Sequence, residues 1–157
     1  MKIKDSGKRR NFESGAVRDC AEGRGRCDLL PLSTIGECFG DNILTNIERY
    51  INSGNPSYIT DVMLMFIQAY FGNRYTAMLE VAKHYEDGAK KYAPRNWQKG
   101  IPMSCYVDSG VRHYLKFMRG DKDEPHDRAF LWNMLGLLWT HENIPSMNDL
   151  PFSEAVK

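Results

Sequence analysis

DEPHDRAFLWNMLGLLWTHE, residues 123–142, is the stretch on which the fold turns. Asp123 and Glu124, with Pro125 in the first turn, mark a helix start. Phe130, Leu131, Trp132, Met134, Leu135, Leu137, Leu138 and Trp139 then make the segment apolar almost all round. A helix with no polar face belongs in the middle of a bundle. Yet His126, Asn133 and Thr140 follow one another at seven-residue spacing along one narrow strip. Buried polar groups need partners from neighbouring elements, so the expected fold is a helical bundle packed round this segment with a polar seam at its centre.

The preceding segments supply the rest of such a bundle. Residues from about 103 to 118 place Val107, Val111, Tyr114, Leu115 and Met118 on one side, with Asp108 at its shoulder and Arg112 one turn on. From about 75 to 92, turning each residue by about 100° puts Met78, Val81, Ala82, Tyr85, Ala89 and Tyr92 on one stripe. On that wheel Glu80 and Asp87 face solvent and Glu86 sits at the shoulder of the stripe. A helix from Ser57 ends at Gly72-Asn73, and another, capped by Asp41, ends at Gly54-Asn55-Pro56. The expectation is an all-α bundle of about five helices in one domain, 1–157. Its helical body spans 41–157, with an irregular tail from Asn143. Residues 1–40 show no periodicity and carry six glycines, including Gly36 and Gly40, so they read as an irregular arm.

The arm is basic. Residues 1–26 hold eight Lys or Arg against four acids, a charge of +4, which leaves −3 for the remainder. A basic arm beside an acidic body fits a phosphate-bearing partner and a cation site; a solvated tail is the plain alternative. Hydrophobic residues make up 42% of the chain, and no apolar run approaches the roughly 18 residues of a membrane span. No apolar stretch follows the basic start, so the protein is expected to be cytoplasmic, with no membrane partner. Cys20, Cys27, Cys38 and Cys105 lack CxxC spacing and read as free thiols.

Glu86 and Asp108, shoulder carboxylates on successive helices, can converge on a divalent cation such as Mg²⁺ or Mn²⁺. Pairing of Asp108 with Arg112 at i+4 is the structural alternative. Between the two helices Lys90, Arg95, Asn96 and Trp97 offer cations, an amide and a ring for phosphates and a base, as an ordinary exposed connection also would. His126 is of interest because it begins the polar strip. No GxxxxGK[ST], GxSxG or strand-bound GxGxxG motif is present.

Four segments, read as strings, resemble a phage family of dATP/dGTP diphosphohydrolases of MazZ type, distantly related to MazG-like all-α nucleotide pyrophosphohydrolases. They are SGAVRDCAEGRGRCDLLP (14–31), HYEDGAKKYAPRNWQKGIP (84–102), SCYVDSGVRH (104–113) and DEPHDRAFLWN (123–133). The resemblance implies cleavage of a purine deoxynucleoside triphosphate, dGTP or dATP, to monophosphate and pyrophosphate with Mg²⁺ or Mn²⁺. It also implies service to a phage genome containing 2-aminoadenine, in the host cytoplasm, by a homo-oligomer. The ExxE and ExxD ligand patterns of MazG-like enzymes are absent, since Lys83 follows Glu80 and Cys105 precedes Asp108. Resemblance and wheels together assign Glu86, Asp108 and Asp123 to the metal and Glu86, Asp108 and His126 to catalysis. Arg24, Arg26, Lys90, Arg95, Asn96, Trp97, Arg112 and Asn133 are assigned to the substrate. The rival is a nucleic-acid-binding module whose arm grips phosphates.

Overall fold

The computed structural model describes residues 2–153; residues 1 and 154–157, the extremes of the expected arm and tail, lie outside them. Six α-helices carry the fold: α1 (Leu32–Phe39), α2 (Asn42–Ser53), α3 (Ser57–Tyr70), α4 (Arg74–Lys91), α5 (Met103–Arg119) and α6 (His126–Asn143). The all-α bundle is therefore as expected, with one helix more. No helix among the described residues is long and apolar enough to cross a membrane.

Local chemistry sets the helix ends. The Asp41 carboxylate accepts from the backbone N–H of Ile43 and Leu44 at 3.0 and 3.2 Å, capping α2, and its other oxygen accepts from Tyr114 Oη at 2.6 Å, tying the cap to α5. Asn73 caps α4 in the same way through the Tyr75 and Thr76 N–H groups. Gly40, Gly54 and Gly120 end α1, α2 and α5 in the left-handed region. Helix α6 starts at His126, after Pro125 rather than with it inside the first turn.

The core sits between α2, α3, α5 and α6. Phe66 of α3 meets Phe130 at 4.8 Å and Phe117 at 5.2 Å between ring centroids, both edge-on, an arrangement that aromatic quadrupoles favour. Tyr106, Leu131, Met134 and Ile47 are fully buried around them. Helices α5 and α6 approach closely at Gly136, where a Cβ would lie 2.3 Å from Tyr106 Cε1.

Residues 1–40 depart from the irregular arm expected of them. Strands β1 (Arg9–Asn11) and β2 (Val17–Asp19) form an antiparallel hairpin in the register Arg9↔Asp19, Arg10↔Arg18, Asn11↔Val17. A short 3₁₀ turn follows at Cys27–Leu29, and α1 packs on α2. Gly36, read as a breaker, lies inside α1, where a Cβ would meet Thr45 Oγ1 at 2.2 Å and Asp41 O at 2.7 Å; it lets two helices touch. Helix α4 is also rolled relative to the expected stripe. Ala77 and Val81 are buried, whereas Met78 and Ala82 are exposed. The inward face runs through Ala77, Val81, His84 and Gly88, about 80° from the expected one, which carries Asp87 inward and Glu86 outward. The four cysteines are free thiols.

The Gly136 contact is testable. Gly136→Ala forces a methyl against a stiff buried ring and is expected to destabilise the protein by about 1–3 kcal/mol. Gly110→Ala meets the flexible end of Met134 first and gains helix propensity of about 1 kcal/mol, so it should lie near zero. Urea denaturation of both variants checks the ranking; equal costs would refute it.

Candidate active site

The hairpin and the chain that follows it roof a cleft of about 450 Å³ whose floor is α4, α5 and α6 and whose side is the connection between α4 and α5. Side chains from the body hold the roof down. Asn96 mimics a neighbouring strand: its Oδ1 accepts from Val17 N at 2.8 Å and its Nδ2 donates to Val17 O at 2.7 Å. Ser14 Oγ donates to the Gly100 carbonyl. Asp108, buried on α5, accepts from Cys27 N at 2.7 Å through Oδ1 and pairs with Arg112 at 2.6 Å through Oδ2, while Arg112 also donates to Gly25 O at 2.8 Å. Both oxygens of Asp108 are thus engaged, one of them by the i+4 pairing with Arg112.

Arg18 of β2 points into the protein. It donates to Asn133 Oδ1 at 3.2 Å and to Cys105 O at 3.4 Å, and its guanidinium lies 5.5 and 5.4 Å from the Tyr106 and Trp132 ring centres. Burial lowers its pKa from the usual arginine value. Asn133 in turn donates to Ala129 O at 2.8 Å. The polar strip of α6 therefore finds a partner in the arm.

Eight lysines and arginines line the cleft, Lys4, Arg10, Arg18, Arg24, Lys91, Arg95, Arg112 and Lys116, against three carboxylates, Asp19, Asp108 and Glu124. Tyr85, Trp97 and Trp132 add apolar walls, with Trp97 braced edge-on by Trp139 at 4.9 Å. Arg95 holds a left-handed backbone, φ 62°, alone among the described non-glycine residues. A β-branched or bulky side chain tolerates that conformation poorly, and such positions cluster at ligand sites.

Next to the cleft lies a histidine cluster. His113 Nδ1 and His126 Nδ1 face each other at 2.9 Å, His126 Nε2 is 2.7 Å from Asp123 Oδ1, and Lys4 reaches Asp123 Oδ2 at 2.5 Å. The Lys4 ammonium, then His126, hold the Asp123 carboxyl well below the usual carboxylate range. Burial pushes His113 well below 6.5, so it is neutral. His113, Glu124 and His126 present ligand atoms within 4.8 Å of one another, as do Asp121, Asp123 and His126.

Of the residues singled out from sequence, Arg24, Arg95, Asn96, Trp97, Asp108, Arg112 and Asn133 meet at this cleft, and Asp123 and His126 adjoin it. Three do not. The Glu86 side chain is 65% exposed and lies 3.4 Å from Lys90 on the outer side of α4, in a separate hollow with Glu80 and Arg128. Lys90 points out with it, and the cation turned inward is Lys91, 8% exposed and 3.5 Å from Asp19. Arg26 is bound to Asp28 at the surface. The roll of α4 accounts for the first two. Arg10, Arg18, Lys91, His113 and Glu124 were missed, although all but Arg10 lie in segments that carry the resemblance.

A family model described as dATP/dGTP diphosphohydrolase, N-terminal, matches residues 63–150, from the middle of α3 past the end of α6. No curated protein and no solved structure matches the chain.

His84, on the cleft floor, has its pKa lowered from 6.5 to about 4, chiefly by burial and then by Arg128. The unfolded chain protonates this imidazole first. Its stabilising share is therefore complete above pH 6.5 and is lost as pH falls towards 4, at about 1.4 kcal/mol per pH unit. Between pH 6.5 and 5 the wild type should lose about 2 kcal/mol more stability than His84→Gln in urea titrations without nucleotide. Parallel losses would show that His84 is not the group responsible.

Proposed function

Since this chain belongs to the dATP/dGTP diphosphohydrolase family, and so is a nucleotide-hydrolysing enzyme, we propose that the roofed cleft binds a purine deoxynucleoside triphosphate, dGTP or dATP, and hydrolyses it to the monophosphate and pyrophosphate. The observation that carries this reading is the lining of the cleft, eight cations against three carboxylates beside aromatic walls. A triphosphate needs several charge-assisted donors, and a purine needs a flat apolar surface. Arg24, Lys91, Arg95 and Arg112 take the phosphates. Tyr85, Trp97 and Trp132 take the base, and Asn133, with both ends of its amide engaged, holds Arg18 in place beside them. Asn96 serves by holding the hairpin, because both ends of its amide are occupied.

Water attacks the α phosphorus. One P–O bond forms to the water oxygen, the bond from that phosphorus to the α–β bridging oxygen breaks, and pyrophosphate leaves as one group. The reading includes a divalent cation, Mg²⁺ or Mn²⁺. A pair formed by Glu86 and Asp108 does not fit it, since Glu86 lies on the outer side of α4 and Asp108 is occupied by Cys27 and Arg112. Glu124 with His113 and His126, and Asp123 beside them, fit Mn²⁺ by donor type. Bound there, a cation supplies phosphate charge neutralisation and acidifies water. The string resemblance supports the wider setting, a phage nucleotide pool serving a 2-aminoadenine genome in the host cytoplasm. A homo-oligomer would draw on Tyr75 and Leu79, which stand on the outer face of α4 71% and 72% exposed. Against the nucleic-acid module, Lys4, Arg9 and Arg26 of the arm are each paired with a carboxylate, and Arg18 is turned into the protein.

Two measurements test the reading. Lys91→Ala removes a charge-assisted contact of about 1.5–3 kcal/mol and should raise KM for dGTP tenfold or more, while Lys90→Ala leaves it within about twofold; the reverse order would sink this placement of the phosphates. Hydrolysis in ¹⁸O-water should put the label in dGMP or dAMP and leave pyrophosphate unlabelled. Labelled pyrophosphate, a diphosphate intermediate or free triphosphate would each exclude attack at the α phosphorus.

A further inference from the structure

His113 comes from the outer half of α5 and His126 from the first residue of α6, and the crossing of the two helices sets the rings 5.2 Å apart, tilted by 40°. Their Nδ1 atoms point at each other across 2.9 Å, and Glu124 Oε1 lies 3.7 Å from His113 Nδ1. These groups are largely out of water, with side-chain exposures of 17%, 1% and 11% for His113, His126 and Glu124. Glu124 has no other ion-pair partner among the described residues. On the far side of the His126 ring, Nε2 meets Asp123 Oδ1 at 2.7 Å, and Lys4 clamps that carboxylate. A carboxylate at Nε2 keeps the proton there and leaves the Nδ1 lone pair directed at His113 and Glu124, which is how outer carboxylates orient ligating histidines.

We propose that His113, His126 and Glu124 are a three-ligand site for a borderline divalent cation, Mn²⁺, Co²⁺ or Zn²⁺, with Asp123 as the outer carboxylate that orients His126. Two nitrogens and one oxygen suit these ions, whereas Mg²⁺ holds to oxygen ligands. Three protein ligands leave a coordination position open, as reactive rather than purely structural sites do. His113 and Glu124 also line the cleft, so two of the three ligands border the space assigned to the triphosphate. The neighbouring set of Asp121, Asp123 and His126 is the weaker site. Asp121 is held by two Arg119 nitrogens at 2.7 and 2.5 Å, and Asp123 is held by Lys4.

The test uses the full chain without nucleotide. Calorimetry should give one ion per chain, with Zn²⁺ and Co²⁺ bound more tightly than Mn²⁺, and Mn²⁺ far more tightly than Mg²⁺. Co²⁺ should develop visible d–d absorption that Glu124→Gln abolishes, while Asp123→Asn weakens Co²⁺ binding by about 10–100-fold at unchanged helicity. In protein labelled with ¹⁵N-histidine, which avoids mutation, Zn²⁺ should shift the Nδ1 resonances of His113 and His126. His141, whose Nδ1 is 2.8 Å from Tyr50 Oη elsewhere in the fold, serves as the unmoved control. Unmoved His113 and His126, a shift at His126 Nε2 in place of Nδ1, loss of binding in Asp121→Asn but not Glu124→Gln, or Mg²⁺ affinity equal to that of Mn²⁺ would each overturn the site. Because binding is read without substrate, Co²⁺ binding here with no nucleotide turnover would sink the proposed function alone. Turnover with unmoved histidines would sink this site alone.

Discussion

Everything in this protein depends on burying charged and amide groups in the middle of a helical bundle. Asp108, His126, Arg128 and Asn133 are all buried on the two central helices, and an unpaired polar group at such depth costs several kcal/mol. The bundle alone does not satisfy them. Arg18 answers Asn133, the Cys27 amide answers Asp108, and Lys4 answers the carboxylate that holds His126. The arm is thus a structural requirement of the body and the roof of its cleft at once. A purely apolar bundle of the same shape would need neither arm nor cleft.

The helices that were legible in the sequence are those whose ends are written in local chemistry. Asp41, Asn73, the Gly54-Asn55-Pro56 stop and Pro125 act within a turn of themselves. Helix α1 was not legible because its deciding residue acts at a distance. Gly36 looks like any other glycine until Thr45 is placed against it. The roll of α4 was hidden for a related reason. The apolar stripe includes Met78 and Ala82, yet both stand outward while His84 and Gly88 turn inward, so a histidine and a glycine carry part of the inward face.

The site divides along the same line. Arg95, Asn96, Trp97, Arg112 and Asn133 were found because cations, amides and rings in a connection, or a polar residue in an apolar helix, are conspicuous in a string. Lys91 was passed over for Lys90 because one residue of helix is a 100° turn, and only the packed position of α4 tells them apart. His113 carries no signal of its own in the string; its partner lies thirteen residues away across a helix crossing. Arg18 belongs to a hairpin that periodicity does not reveal, since three-residue strands are too short to show alternation.

The bonds that fasten the arm span long stretches of chain. Val17 to Asn96, Cys27 to Asp108 and Arg18 to Asn133 join residues 79, 81 and 115 positions apart, whereas the helix hairpins close over short loops. Closing so long a loop requires the distant wall to exist already, and contacts of this range slow folding. The cleft is therefore expected to become native after the helix hairpins beneath it.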